Sequence, residues 1–214
     1  MIPISSLIFD FDGTLVDSAP DIANAVNYTL INLKLPTYSK NEIQNFVGDG
    51  VRTLLERAIG KTEDAFIQQA LTIFKPYYLE HCVEQTILYP NVKQTLEFFK
   101  DKSLALVTNK PYDMVLKTLE HFSLTHYFQL VLGGDSTQNR KPHPEPILKT
   151  METFQCLPQQ TLMVGDGITD ICAAQSAGAK TCAVTYGYRT QVELEKLKPD
   201  FCINKIEDLK KIVM

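Results

Sequence analysis

Short apolar segments alternate with longer segments of helical periodicity through the second half of the chain. The apolar segments are 104–109, 130–134, 161–166 and 180–187, and the helical ones are 113–122, 144–154 and 168–178. This alternation is typical of a parallel β-sheet whose strands are joined by crossover helices. The apolar residues Leu7 to Phe9 predict the first strand of that sheet.

The part of the chain that follows this first strand breaks the alternation. Apolar residues recur there at helical spacing in four segments, DIANAVNYTLINLKL, KNEIQNFV, GVRTLLERAIG and DAFIQQALTIFKPYYLEH, and no segment has the pattern of a strand. Turns with Pro20 and Pro90 bound the region, because the residue before a proline disfavours helix. We therefore predict an α/β core of residues 1–16 and 87–214, with a small all-helical domain, residues 17–86, inserted after the first strand.

Composition is that of a soluble globular protein. The chain has 214 residues, of which 44% are hydrophobic and 21% charged, and a formal net charge of −4. No run of Lys and Arg indicates a nucleic-acid or an anionic membrane partner. The first residues lack the basic region of a leader peptide, and no apolar run approaches the ~18 residues of a membrane span. We expect a cytoplasmic protein that binds neither nucleic acid nor membrane.

The cysteines carry no sign of a disulfide framework or a zinc site. They are odd in number and scattered along the chain, at Cys82, Cys156, Cys172, Cys182 and Cys202. No pair has the spacing of a metal-binding motif. We expect each of them to be an unpaired, buried side chain.

Polar residues follow the predicted strands directly. In an open parallel sheet, ligands bind beyond the carboxyl ends of the strands, so these residues should converge on one crevice. They are Asp10, Asp12, Thr108, Asn109 and Asp166, with Asp170 one helical turn later. Lys141 lies in a proline-rich loop before a predicted helix.

This set of side chains suits phosphoryl transfer. Carboxylates are the ligands of a hard cation such as Mg²⁺, and a hydroxyl, an amide and a lysine suit the oxygens of a phosphoryl group. One aspartate would attack phosphorus while the metal and the lysine neutralise negative charge. An aspartate two residues further along an extended chain points to the same side, where it would exchange a proton with the leaving oxygen and with water.

Four motifs, DFDGT, VTN, KPHP and GDGITD, occur in this order along the chain. They resemble the four motifs of the haloacid dehalogenase superfamily, which implies a Rossmann-like core and makes the helical insert a C1 cap. The resemblance makes Asp10 the nucleophile and Asp12 the general acid and base, with the Asp12 backbone carbonyl also on Mg²⁺. It makes Asp166 a ligand of Mg²⁺, supported by Asp170.

The same resemblance implies that Thr108 and Asn109 bind the phosphoryl group and that Lys141 holds nucleophile and phosphate together. A C1 cap excludes bulky substrates, which implies a small phosphorylated metabolite. Within the superfamily, the segments DGTLVDSAPDI, VGDGVRTLLERAIG, VTNKP and TYGYR resemble bacterial phosphoglycolate phosphatases. The expected reaction is therefore the Mg²⁺-dependent hydrolysis of 2-phosphoglycolate to glycolate and phosphate through an aspartyl-phosphate.

Three alternatives remain open at this point. In the first, the enzyme is a phosphatase for a different small phosphomonoester, such as a sugar phosphate. In the second, it returns the phosphoryl group to a sugar, as β-phosphoglucomutases do. In the third, the chain binds a phosphometabolite without turnover. The sequence allows a monomer or a homodimer.

A substrate carboxylate needs a cation or backbone N–H groups to face it. Arg52 and Gly50, at a predicted helix start in the insert, are the first candidates for this role. The alternative is that Arg52 lies in solvent at an ordinary helix start. Lys110, next to Asn109, is a second candidate that is equally compatible with a surface position. Tyr186 and Tyr188, at alternate positions, favour packing within a strand.

Overall fold

The computed structural model describes residues 1–60 and 63–214. Within these residues the strands are β1 (Ser6–Phe9), β2 (Val16–Asp17), β3 (Ile87–Leu88), β4 (Ser103–Val107), β5 (Leu130–Leu132), β6 (Thr161–Gly165), β7 (Lys180–Val184) and β8 (Phe201–Ile203). The helices are α1 (Ala19–Asn32), α2 (Lys40–Phe46), α3 (Val51–Ile59), α4 (Asp64–His81), α5 (Val92–Phe98), α6 (Tyr112–His121), α7 (Glu145–Phe154), α8 (Ile168–Ser176), α9 (Gln191–Glu195) and α10 (Leu209–Ile212). Short 3₁₀ turns lie at Thr125–Tyr127, Pro158–Gln160 and Ile206–Asp208.

The main sheet is parallel and has the strand order β5-β4-β1-β6-β7-β8. Strand β1 lies in the middle, with Phe9 opposite Leu106 of β4 and Val164 of β6. The carboxyl ends of these three strands are therefore neighbours. The predicted α/β class is confirmed, although strand β8 was not predicted, because its three residues are too few to show a period.

Helices cover both faces of the sheet. Successive side chains of a strand point to opposite faces, and accordingly Leu7 and Phe9 pack in one apolar cluster while Ile8 packs in another. Residues of α5 and α6 belong to the first cluster, and residues of α7 and α8 belong to the second. Because β1 is buried on both sides, its residues Leu7 to Phe9 are continuously apolar up to Asp10.

Helices α1 to α4 follow one another between β2 and β3, as the helical periodicity predicts. Their apolar residues share a separate cluster that contains Val26, Leu55 and Phe74. Strands β2 and β3 pair antiparallel where the chain enters and leaves these helices; the sequence did not indicate this ribbon, whose strands have two residues each. The division into a core of residues 1–16 and 87–214 and a cap of residues 17–86 stays a prediction.

The expectation for the cysteines was wrong in part. All five are unpaired, but only Cys82 and Cys182 are buried, and Cys202 is exposed. Burial of a cysteine depends on the face of the strand or helix that it occupies, which a scattered residue does not reveal. In the described parts of the chain, no helix combines the length and the apolar character needed to cross a bilayer.

Asp21 of α1 connects the start of the helical insert to its end. Its buried carboxylate accepts hydrogen bonds from the backbone N–H groups of Gln85 (3.0 Å) and Thr86 (2.9 Å) and from the Thr86 hydroxyl (2.7 Å). These donors lie directly before β3. The contacts therefore stabilise the chain where it returns to the core.

Replacement of Asp21 by Ala removes this acceptor and leaves the N–H groups of Gln85 and Thr86 without a partner. We expect the free energy of unfolding to fall by about 2–3 kcal/mol, as is typical when hydrogen bonds to a charged group are lost, measured by chemical denaturation. Asp101→Ala removes an exposed carboxylate and serves as the control, with an expected change below about 0.5 kcal/mol. Equal effects of the two substitutions would contradict the proposed connection.

Candidate active site

Three adjacent strands end at the crevice where the predicted site residues meet. Asp10 follows β1, Thr108 follows β4 and Asp166 follows β6. The backbone N–H of Asp10 donates to the Val164 carbonyl (2.9 Å), and that of Thr108 donates to the Leu132 carbonyl (2.9 Å). The sheet hydrogen bonds thus continue one residue past the strands and fix where these side chains start.

Lys141 is the buried cation of this crevice, with a side chain only 1% exposed. Its Nζ atom lies 2.8 Å from Asp10 Oδ1 and 2.6 Å from Asp170 Oδ1, and it donates to the Val107 carbonyl at 2.5 Å. Burial by itself would lower the pKa of Lys141, but Asp10 and Asp170 raise it overall. The ammonium therefore stays charged and holds Asp10 in place.

Asp10, Asp166 and Asp170 form a cluster of buried carboxylates, each with an oxygen within 4.8 Å of the others. Burial, together with the charge of Asp170, raises the pKa of Asp10 to about 7, even though Lys141 opposes the shift. Burial and the charges of Asp10 and Asp170 raise the pKa of Asp166 to about 8. Lys141 alone does not balance this concentration of negative charge.

The orientation of Asp166 is fixed by two donors. The Thr14 hydroxyl donates to its Oδ1 (3.0 Å), and the backbone N–H of Tyr188 donates to its Oδ2 (2.7 Å). Gly13 and Gly187 leave the necessary room, since a Cβ at either position would lie 2.3 Å from an Asp166 atom. The expectation that Tyr188 belongs to a strand was wrong, because β7 ends at Val184 and the chain then turns towards Asp166.

The side chains of this cluster fit a divalent cation. Buried carboxylates with raised pKa values are the oxygen ligands that a hard cation such as Mg²⁺ takes, and a cation removes their mutual repulsion. Asp170 is partly engaged already, by Lys141 and by the Gly167 N–H (2.9 Å). Asp10 and Asp166 also have partners, but each carboxylate oxygen accepts more than one bond, so both keep acceptor capacity for the ion.

The carboxylate of Asp12 does not belong to this cluster. Its Oδ1 accepts hydrogen bonds from the Ser18 hydroxyl (2.6 Å) and from Lys110 Nζ (2.9 Å). Ser18 in turn lies 3.2 Å from the Tyr188 hydroxyl. From the sequence, Lys110 is either a surface residue or a second candidate for contact with the substrate carboxylate, and Ser18 is not singled out. These contacts could not be predicted, because their partners are distant along the chain or are not marked by a motif.

Asn109 holds two loops together. Its side-chain amide donates to the Gly48 carbonyl (2.9 Å) and to the Lys141 carbonyl (2.8 Å). Among the residues that the structure describes, its backbone N–H has no hydrogen-bond partner. The side chain of Asn109 thus has a positioning role that the sequence did not indicate, and its backbone N–H is the donor that remains available for a ligand.

A cavity of about 50 Å³ lies beside Asp10 and Asp12. Gly50, the N-cap residue directly before α3, has a φ of 87° and lines the cavity, but Arg52 does not. The Arg52 guanidinium instead pairs with Glu56 (2.8 Å) and with Asp64. The structure therefore brings Gly50 to the site and leaves Arg52 in local ion pairs within the insert.

Comparison with known proteins identifies the family. A sequence model of the haloacid dehalogenase-like hydrolases matches residues 7–184. The chain belongs to this family. The Aquifex aeolicus phosphoglycolate phosphatase is 40% identical to this haloacid dehalogenase-like hydrolase, over 97% of the chain and 95% of that protein. The Escherichia coli K12 phosphoglycolate phosphatase is 38% identical over 96% and 91%, respectively.

Solved structures agree with this result. The crystal structure of a predicted phosphoglycolate phosphatase from Haemophilus somnus 129PT has a TM-score of 0.94 to the haloacid dehalogenase-like hydrolase described here. The two chains are 37% identical, and the match covers 99% of each. The resemblance predicted from the four motifs is thereby confirmed, and the chain is a phosphoric monoester hydrolase.

Removal of the Thr14 hydroxyl tests whether the activity of the hydrolase depends on the position of the Asp166 carboxylate. Thr14→Val keeps the shape of this buried side chain and removes two hydrogen bonds, the one that the hydroxyl donates to Asp166 Oδ1 and the one that it accepts from the Asp166 backbone N–H (3.1 Å). We expect kcat/KM for p-nitrophenyl phosphate to fall by about tenfold or more, as for other residues that orient a functional carboxylate. Thr150→Val, in which a buried hydroxyl bonded to the Pro146 carbonyl of α7 is removed, should leave kcat/KM unchanged. Activity of the Thr14 variant at the control level would contradict the role of this contact.

Proposed function

We propose that this phosphatase hydrolyses 2-phosphoglycolate to glycolate and phosphate, with Asp10 as the nucleophile and Mg²⁺ as the cofactor. The observation that carries the proposal is the environment of Asp10. Its carboxylate is held by Lys141 at the end of the central strand, beside two further carboxylates and next to a small cavity. The names of the relatives support 2-phosphoglycolate as the substrate.

The chemistry divides between the two aspartates of the first motif. Asp10 attacks phosphorus, and the bond from phosphorus to the substrate oxygen breaks as Asp12 gives that oxygen a proton. Water then attacks the aspartyl-phosphate while Asp12 takes a proton from it, which releases phosphate, restores the Asp10 carboxylate and returns Asp12 to its protonated form. The hydrogen bonds of Asp12 to Ser18 and Lys110 support a role separate from that of Asp10.

The phosphoryl oxygens need donors that are already in place. Lys141 supplies an ammonium beside Asp10, and Thr108 supplies a hydroxyl at the cavity wall. We assign the backbone N–H of Asn109 as the third donor, because the amide of this side chain is occupied. These groups would face the charge that develops on phosphorus oxygens during attack.

Mg²⁺ would be held by Asp10, Asp166 and the backbone carbonyl of Asp12, with Asp170 in support. When bound, the ion supplies positive charge that neutralises the phosphate and lowers its repulsion from the carboxylates. The fit rests on the cluster of three buried carboxylates described above. A cytoplasmic location and a monomeric or homodimeric state, without nucleic-acid or membrane partners, stay predictions.

A panel of small phosphomonoesters tests the function directly. We expect phosphate release to be fastest from 2-phosphoglycolate, to stop in EDTA and to return when Mg²⁺ is added in excess, measured colorimetrically with sugar phosphates and p-nitrophenyl phosphate as comparisons. Full activity in EDTA would contradict the metal, and faster release from a sugar phosphate would contradict the substrate. Phosphoryl transfer to a sugar without free phosphate would indicate a mutase, and an inactive protein that binds the esters would indicate a binding protein.

The nucleophile has its own test. Asp10→Asn keeps the shape of the side chain and removes the charge that attacks phosphorus, so turnover should fall below detection while the thermal unfolding curve stays cooperative. Asp17→Asn is the matched control, because Asp17 lies in the same segment and its Oδ1 accepts from the Ala19 N–H (3.2 Å). Near wild-type turnover by Asp10→Asn, with mass spectrometry excluding deamidation to Asp, would show that another group attacks.

A further inference from the structure

The cavity beside Asp10 and Asp12 is small and has largely apolar walls. A volume of about 50 Å³ corresponds to roughly four groups the size of a water molecule. Ile22, Leu54 and Phe74 from the helical insert form part of the wall. The space therefore suits the few atoms that a small phosphomonoester has beyond its phosphate, and it offers them little water.

Lys110 is the single basic residue among the described residues that line this cavity. Other cations of the neighbourhood are engaged elsewhere. Arg57 pairs with Asp49 (2.6 Å), and Arg189 donates to the Val47 carbonyl (2.5 Å). Arg140 lies behind Gly50, where its Nη1 would be 2.6 Å from a Cβ at that position. None of these guanidinium groups lines this cavity, although Arg57 and Arg189 line a larger cavity of about 740 Å³ that also borders Asp10 and Asp12.

The ammonium of Lys110 is fixed by its surroundings. Its side chain is 3% exposed, and Nζ lies 2.9 Å from Asp12 Oδ1 and 2.6 Å from the Tyr78 hydroxyl. The same atom lies 4.8 Å from the centre of the Tyr78 ring. Burial and the charge of Asp12 raise the pKa of Tyr78 well above its usual value, so this partner is a neutral phenol.

An ammonium has three N–H donors, and Asp12 and Tyr78 account for two of them. The third donor remains for a group inside the cavity. An anionic group placed there without a cation would face Asp10 and Asp12 across apolar walls, where the repulsion is only weakly screened. Any anionic part of a substrate in this cavity therefore requires Lys110.

We infer that Lys110 is the specificity residue of this site, and that its ammonium pairs with the carboxylate of a small phosphomonoester whose phosphate lies at Asp10. This inference rests on the proposed function. The inference assigns contact with the substrate carboxylate to Lys110 and not to Arg52. Lys110 comes from the core and directly follows Thr108 and Asn109, the residues proposed to bind the phosphate. Adjacent residues of one loop thereby bind the phosphate and the carboxylate of the substrate.

The test compares two substrates that differ in the carboxylate. 2-Phosphoglycolate carries it, whereas ethyl phosphate has a similar size and lacks it. Lys110→Met removes the charge and keeps most of the length, and we expect the ratio of kcat/KM for 2-phosphoglycolate to that for ethyl phosphate to fall by about tenfold or more, since a charge-assisted hydrogen bond is lost. Both values should also fall together by some factor, because Lys110 contacts Asp12.

Lys117→Met is the matched control. Lys117 of α6 also reaches α4, where its Nζ donates to the Leu79 (2.6 Å) and Glu80 (2.9 Å) carbonyls, but it does not line the cavity. Its replacement should leave the ratio unchanged. An unchanged ratio in Lys110→Met, with both substrates affected equally, would overturn the inference and leave Lys110 as a residue that only positions Asp12.

A second variant and the wild-type enzyme keep the test decisive if Lys110→Met does not fold. Lys110→Gln retains an amide donor for Asp12 and Tyr78 and should show the same loss of preference. The wild-type enzyme itself should prefer 2-phosphoglycolate to ethyl phosphate by about tenfold or more, and equal values would also overturn the inference. Failure of the proposed function looks different, because 2-phosphoglycolate would then not be hydrolysed at all or would be surpassed by an unrelated ester.

Discussion

The charge balance around Lys141 is the constraint on which the rest of the site depends. One buried ammonium contacts Asp10 and Asp170 and donates to the carbonyl of Val107. A buried cluster of carboxylates is unfavourable unless cations compensate it. The sheet order explains how the cluster arises, since the strands before Asp10 and Asp166 are neighbours. The fold thus concentrates negative charge at one crevice, and Lys141 compensates part of it.

The two aspartates of the first motif are separated electrostatically although only Phe11 lies between them. Asp10 is paired with Lys141, and Asp12 is paired with Lys110. Each carboxylate therefore has its own buried ammonium, one from a loop before α7 and the other from the loop after β4.

The sequence predicted the strands and helices that follow a regular hydrophobic pattern and the polar residues that lie where such a pattern ends. Asp10 and Asp166 follow continuous apolar strands, so their convergence was readable from periodicity and sheet topology. The buried position of Lys110 was not, because it depends on Tyr78, which comes from a helix of the insert. Arg52, which the sequence leaves open between a substrate contact and an ordinary helix start, shows the opposite case. Its partners are local acidic residues in or near its own helix, and charge patterns of this kind are common on solvated surfaces.

The amide of Asn109 has a mechanical consequence for the whole site. One of its hydrogen bonds reaches Gly48, between α2 and α3, and the other reaches the backbone of Lys141. A displacement of the Gly48 segment breaks the first bond and frees the side chain that also restrains the lysine loop. The cavity wall at Gly48 and the backbone that carries Lys141 are therefore linked through a single planar group.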